Sequence, residues 1–542
     1  MIQKGDTIVT LSHVFPPKKA GRKLFNRKKV SKEVLQGRWV DEAIAECVEK
    51  DNVSVENQKK KAREIFFEIA NDMNFKILKT YAFVLRKFIW RWMFEDIEVQ
   101  NFSKVQSFAE DDYQMIYVPN HRSHIDYFMM LDAIAKNGLM PPVMASGNNL
   151  NFFPAGYFLR KGCAFFVRRS FAGDQFYTSI LKEYIHHLMK KNVPLSFFPE
   201  GGRSRSGKLL PPKLGFFSFV VQSYLRNPNK KVVFVPTYIS YDRVLESSSY
   251  EKELTGVPKK KESFRGVLSF FKKAKKLQGK AYLNFGEPLV LKEFLNNHFP
   301  PKSFFMTDPG KTLEIVEKEK PEWYSKTVDS LGQTINTRIN ESAILNVSSV
   351  VSFALVNTEG QKVKEDYLNT FINKMISIKK LSTSFPNISF SAIKTPDVHK
   401  ALGKVLSLKK SIQSSVHESL QEISINKKRM SNVIYPLNNI FHLFAMEAFI
   451  ARLISRYNEM DIKNILSYGA RIYPGIKEEF YLPWSQNQIR EIITNTLDGM
   501  VKEGLLKKHI NKYSANDIGS DNYSYLQILS ESFDRMFPAF QP

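Results

Sequence analysis

Cysteine is scarce in this chain: Cys47 and Cys163 are the two found among 542 residues. So distant a pair supplies neither a metal cluster nor a disulfide framework, and the expected compartment is a reducing one. Long apolar runs are also missing. None approaches the ~20 residues of a spanning helix, and residues 1–29 hold no apolar block of signal-peptide length. Acidic residues are the minority, 54 against 79 basic ones, which leaves a net charge of +25. That excess favours anionic partners (lipid headgroups, nucleic acid or an acidic protein) without choosing among them. No repeat of fixed period occurs. No RNP, zinc-finger or helix-turn-helix pattern is evident, so nucleic acid is not an expected partner.

What is present is enough apolar sequence, 43%, for two or three cores. Three regions differ in texture. Residues 1–98 are a basic N-terminal segment followed by helical periodicity from about Val40 to Phe94. Residues 99–300 alternate short β-like runs (QMIYV, PPVMAS, CAFFV, VPLSFF, KVVFVPTYIS, AYLNFG) with helix-like segments (IDYFMMLDAIAK, FAGDQFYTSILKEYIHHLMKK, GFFSFVVQSYLR). This alternation predicts an α/β layered domain on a buried sheet. Residues 301–542 read as mainly helical, with a polar interval at 377–392 expected to be a linker or surface excursion. The stretch PWSQNQIREIITNTLDGMVKEGLLKK has the look of part of a winged helix, although a helical bundle is the plainer expectation.

Chemistry concentrates in VPNHRSHIDY (118–127), where four ionisable groups crowd the turn between a hydrophobic run and an apolar helix. Asp126, in the first helical turn, can reach back to the His121 imidazole, fixing its tautomer and raising the basicity of its far nitrogen. Ser123 and Asp126 also fit a capping box, in which Asp126 merely caps the helix. His121 and His124 form an HxxH pair, but no third ligand has convincing spacing, so no metal is expected. In GCAFFVRRSF, Arg168 and Arg169 end a strand and can grip a phosphate, or simply meet solvent. In FFPEGGRSRSGKLLPPKLG, Glu200, Gly201 and Gly202 follow a strand, with Arg203, Arg205 and Lys208 close behind. Residues 202–209 nearly spell a phosphate-binding nucleotide loop, but Leu209 replaces the hydroxyl residue and Pro211 and Pro212 forbid the helix that should follow. VFVPTYISYDRVLE carries Pro236 near the end of a strand.

In this order the four blocks resemble the glycerolipid acyltransferase family. Its His-x4-Asp motif is matched by His121 and Asp126, its Phe-x-Arg-Arg block by Phe166 to Arg169, its Pro-Glu-Gly by Pro199, Glu200 and Gly201, and its late strand proline by Pro236. HRSHIDY, GNNLNF, EGGRSRSGKLLPPKLG and YLNFGEPL are similar to the bacterial membrane-bound glycerol-3-phosphate acyltransferase type. KKKAREIFFEIA before the core and ARIYPGIKEEFYLPW after it extend the likeness over most of the chain. One departure is that many members carry a much longer segment ahead of the His-x4-Asp block, which stands here near residue 120.

The resemblance implies transfer of a fatty acyl group from an acyl thioester to the sn-1 hydroxyl of sn-glycerol 3-phosphate. His121 would be the general base and Asp126 its orienting partner, with direct attack on the thioester, since no G-x-S-x-G elbow is present. Arg168, Arg169, Arg203, Arg205 and Lys208 are the cations expected to meet the substrate phosphate, Arg169 first and Arg203 next. Glu200 and Gly201 would organise the loop that carries them. Acyl-CoA or an acyl-acyl carrier protein is the expected donor, with no cofactor. Dihydroxyacetone phosphate or lysophosphatidate are alternative acceptors, and a catalytically silent lipid-binding or nucleic-acid-binding protein is the non-enzyme alternative. The expected location is the cytoplasmic face of the cell membrane, held peripherally on an anionic surface. Two segments suit that surface: YAFVLRKFIWRWMF (81–94), which also reads as a packed helix with snorkelling cations, and PKKKESFRGVLSFFKKAKKLQGK (258–280), which also reads as a solvated basic helix.

Overall fold

The computed structural model describes residues 25–170, 173–246, 249–250, 253, 279–300, 305, 307–356, 363–381, 385, 388–390, 412–417, 420–425 and 431–538. The basic segment 1–24 and most of 258–280 therefore lie outside the described residues. Helix also begins earlier than the periodicity from Val40 suggests: Arg27–Leu35 is helical, its first amides capped by the Asn26 side chain.

The α/β expectation is met by an eight-stranded sheet. Its strands are β1 (Asp96–Gln100), β2 (Gln114–Pro119), β3 (Val143–Gly147), β4 (Ala164–Val167), β5 (Leu195–Ser196), β6 (Val232–Tyr241), β7 (Lys280–Phe285) and β8 (Leu289–Val290). The order across the sheet is β1-β7-β6-β2-β5-β3-β4, with β8 also on β6. Neighbours from β6 through β2, β5 and β3 to β4 run parallel, whereas β7 and β8 pair antiparallel with β6. The sheet is thus mixed. Every residue of β2 and of β6 is buried, which explains why both read as unbroken apolar runs instead of alternating ones.

Helices cover the sheet. Gln175–Lys190 begins where Asp174 accepts the Tyr177 amide, and it packs beside Gly215–Arg226 and the N-terminal helices Arg38–Asp51 and Val55–Ile69. Phe66, Phe165 and Tyr184 meet edge-on in that layer, and burying each such ring is worth about 1.5–3 kcal/mol.

The C-terminal region is built on the helix Ser431–Tyr457, packed against Val347–Val356 and Asp521–Met536. Its span Ile434–Tyr457 is long and apolar enough to cross a membrane, yet 94% of an 18-residue apolar window within it is buried inside the molecule. The sequence reading recognised no such run, because Asn438, Asn439, His442 and Glu447 interrupt it; these residues are buried too. Glu447 pairs there with Lys379. Lys379 lies in the last turn of the helix Glu365–Leu381, so the start of the 377–392 interval is packed structure and not a linker. The plain bundle expected around 483–508 also gives way. A strand at Glu459–Asp461, helices Ile462–Phe480 and Ile489–Lys502, and a hairpin of Lys507–His509 with Lys512–Ser514 make a winged-helix-like unit. Three-residue strands are too short for hydrophobic periodicity to register.

Candidate active site

The parallel strands end together on one edge of the sheet, where α/β proteins place ligands. β2 delivers residues 120–125 to that edge, and the helix Asp126–Lys136 leads away. The turn between them is fastened on both sides. The Asn120 side chain donates to Ile239 O at 3.1 Å and accepts from Ile239 N at 2.7 Å. The carbonyl of His121 accepts from Ser204 N at 2.9 Å, and that of Arg122 from the Tyr250 hydroxyl at 2.8 Å.

His121 Nδ1 lies 2.9 Å from Asp126 Oδ2. The same oxygen accepts from Arg122 N at 2.6 Å and Ser123 N at 2.9 Å, while Oδ1 accepts from the Tyr241 hydroxyl. The carboxylate thus braces the turn and orients the ring at the same time, but the full capping box is not made: Asp126 N bonds to the Ser123 carbonyl, and the Ser123 hydroxyl goes to Glu246. Phe198 stacks on the imidazole, centroids 3.8 Å apart and planes 15° apart. The His121 side chain is 17% exposed and that of Asp126 fully buried. Burial pushes the imidazole below its ordinary value, more than the Asp126 hydrogen bond lifts it, with Arg203 and Arg122 adding to the depression.

Glu200 is buried and works on backbone. It accepts from His121 N at 2.6 Å and from Leu210 N at 3.1 Å, tying the His121 turn to the loop after β5. Burial raises its pKa to about 7, against the pull of Arg122 and these two amides. Gly201 holds φ +65 with Lys213 beneath it, a backbone state that side chains disfavour. Gly207, at φ +91, lies so close to Tyr435 O that a Cβ would come within 2.3 Å. The C-terminal helix thus lies directly on this loop, where Asn438 also donates to Ser206 O at 2.8 Å.

The five expected phosphate cations have different surroundings. Arg203 lies beside the imidazole, with Nη1 3.4 Å from Glu246 and its guanidinium over the Tyr250 ring. Arg205 pairs with Glu253, and Lys208 with Glu479 at 2.5 Å. Arg168 is gripped by Glu68 at 2.9 and 2.6 Å, approached by Asp174 at 3.1 Å, and lies over Tyr177. Arg169 is exposed, with no ion pair among the described residues. It follows β4, three strands from β2, or about 14 Å across the sheet. The structure gathers His121, Asp126, Glu200 and Arg203, and leaves the Arg168–Arg169 pair at a distance.

Three contributors were given no role in the sequence, although Arg122 is one of the four ionisable groups of the turn. Glu246 accepts from Ser123 Oγ at 2.8 Å and His124 N at 2.9 Å as well as facing Arg203. Arg122, 1% exposed, donates to Lys208 O at 3.0 Å. Tyr241 bonds the orienting carboxylate. The sole hint was an acid and an aromatic ending an otherwise apolar strand. Among the described residues, no cluster of three or more His, Cys, Asp or Glu is arranged to hold a metal.

Comparison with known proteins gives two sequence-profile matches: "Acyltransferase" over residues 96–240 and "Glycerol-3-phosphate acyltransferase C-terminal region" over 250–541. The chain is 33% identical over 512 residues to a glycerol-3-phosphate acyltransferase of Aeromonas hydrophila, covering 94% of this chain and 61% of that one. It is 32% identical over 526 residues to the enzyme so named in Pseudomonas fluorescens, covering 96% and 60%. The chain thus spans about three fifths of the length of the curated relatives it matches.

Proposed function

We propose, since this chain belongs to the glycerol-3-phosphate acyltransferase family, that it transfers a fatty acyl group from a thioester to the sn-1 hydroxyl of sn-glycerol 3-phosphate, giving lysophosphatidate, the first step of phospholipid synthesis. One observation carries the reading: an imidazole held at 2.9 Å by a buried carboxylate, with a guanidinium beside it. His121 Nε2 takes the proton from the glycerol hydroxyl as the oxygen attacks the thioester carbonyl carbon. The tetrahedral intermediate collapses, the C–S bond breaks, and the imidazolium returns the proton to the leaving thiolate. Asp126 stays ionised and steadies the imidazolium. Base catalysis of this kind supplies about 10²–10⁴-fold. The lowered pKa keeps the ring neutral at neutral pH, the form a base requires.

Arg203 is the phosphate ligand we favour, ahead of Arg169, because it alone of the two stands beside the base. Glu246 and the Tyr250 hydroxyl hold its Nη1 in that position, and a guanidinium suits a phosphate. Acyl-CoA or an acyl-acyl carrier protein serves as donor, and the reaction as written uses no cofactor. Incubating the protein with labelled glycerol 3-phosphate, dihydroxyacetone phosphate or lysophosphatidate and an acyl thioester tests the assignment. Transfer to glycerol 3-phosphate is expected, lost in His121→Ala. Preference for either other acceptor, or full turnover by the variant, overturns it.

The product is an amphiphile, and we place the membrane contact on a surface of exposed rings. Phe83, Phe88 and Trp92 project from residues 75–93, and Phe153, Tyr157 and Phe158 from the adjoining turn and helix. Tyr81 donates to Phe158 O at 2.8 Å, joining the two segments, and Lys87 lies over the rings of Phe83 and Phe88. Rings with interleaved cations suit an anionic bilayer surface. Vesicles containing anionic lipid should pull the protein down on sedimentation, and Phe88→Ser/Trp92→Ser should weaken this by about tenfold. Unchanged sedimentation removes the patch from the account.

A further inference from the structure

Asp126 is supplied with donors from two directions. Oδ2, facing the imidazole, accepts from His121 Nδ1, Arg122 N and Ser123 N. Oδ1 faces the core, and its donor is the Tyr241 hydroxyl. Tyr241 closes β6, five residues beyond Pro236, the partner of Val118 in the parallel register with β2. Its ring is 2% exposed and stacks on Phe94 at 5.8 Å. Burial holds the phenol far above its ordinary pKa, with Asp126 pushing the same way. The group is therefore a neutral donor at any working pH, and its ring has no room to swing away.

We propose that Tyr241 is a positioning residue for the base: its hydroxyl fixes the plane of the Asp126 carboxylate and sets how strongly Oδ2 holds the Nδ1–H of His121. A carboxylate shares its charge between two oxygens. A donor on Oδ1 draws charge away from Oδ2 and tempers the pull on the ring. With that donor removed, Oδ2 becomes the stronger acceptor, the imidazolium is better stabilised, and less of the ring is free base at a given pH. The carboxylate also loses a point of fixation, so the ring wanders from its attacking geometry.

The other groups facing His121 or the carboxylate that holds it stay put in such a change. They are Arg122 on its own turn, Glu200 and Arg203 from the loop after β5, Phe198 stacked on the ring, Glu246 and Tyr250 beyond β6, and Tyr435 from the C-terminal helix, which faces Arg122 and Asp126. Arg203 and Arg122 press the imidazole toward neutrality, and the fourth donor on Asp126 acts in the same sense.

The kinetic half of the test rests on the acyl-transfer reading; the spectroscopic half does not. Tyr241→Phe is compared with Tyr238→Phe, which removes another buried hydroxyl from the same strand, one that donates to Asn439 O at 3.0 Å and does not touch the carboxylate. Ring titration of His121 is followed by ¹⁵N NMR of histidine-labelled protein, assigned with His121→Gln, alongside the pH–rate profile. In Y241F, the ring titration and the acidic limb of kcat should both rise by about half a pH unit. kcat should fall about tenfold, with KM for glycerol 3-phosphate nearly unchanged. Y238F should match the parent in both profiles. Site-specific 3-fluorotyrosine at 241, a stronger donor of nearly the same shape, should move the titration down. An unshifted ring in both 241 variants, or an equal shift in Y238F, overturns the proposal. Should the parent protein transfer no acyl group, the acyl-transfer reading fails, and the ring titration alone decides the role of Tyr241.

Discussion

Two turns leave the same edge of one sheet, each with ionisable residues after a buried strand, and they end up in opposite conditions. In the turn after β2, four donors converge on one buried carboxylate, one of them the imidazole that it holds in place. After β4, Arg168 is consumed by Glu68 and Asp174, so its charge is already answered within the molecule. Adjacent cations in a sequence thus reveal little about ligand capacity. What decides is where the fold sets each cation and how firmly a counter-charge grips it, and Glu68, which grips Arg168 with two oxygens, stands 100 residues away.

Substitutions can break that comparison. The largest effect is expected from Asp126→Asn, which keeps the shape of the turn but cannot stabilise the imidazolium: kcat should drop by about 10²–10⁴, with circular dichroism unchanged. An active variant would reduce Asp126 to a cap. A smaller effect is expected from Arg203→Gln, a rise of about tenfold or more in KM for glycerol 3-phosphate with KM for the acyl donor kept. Arg168→Gln should produce the smallest kinetic effect, leaving KM for glycerol 3-phosphate within about twofold and costing about 0–1 kcal/mol of stability, as befits a partly exposed ion pair. If Arg168→Gln raises that KM as much as Arg203→Gln does, the two turns serve the substrate alike, and the contrast drawn here is wrong.

Much of this was legible beforehand. The runs QMIYV, CAFFV and KVVFVPTYIS announce β2, β4 and β6, because parallel strands buried on both faces need uninterrupted apolar sequence. The His121–Asp126 spacing is local, so its reach across one turn can be read directly. Tyr241 lies 115 residues from Asp126, and Glu246 lies 123 from Ser123; pairings over such separations are set by strand order, which spacing does not reveal. The helix Ser431–Tyr457 was legible as helix, within a region that reads as mainly helical, but its burial was not: Asn439 and Glu447 lie inside the core, and Glu447 pairs with Lys379, 68 residues away.

The close approach of Tyr435 to Gly207 bears on how this molecule can be divided. The two sequence profiles meet near residue 250, an inviting place to cut. A chain severed there would retain His121, Asp126 and every basic residue of the loop, yet the roof over residues 204–207 comes from beyond the cut. The border drawn along the polypeptide is not a border in space. The His121 loop and the helical half meet in one structure, and grafting the first onto another scaffold would require carrying the second along.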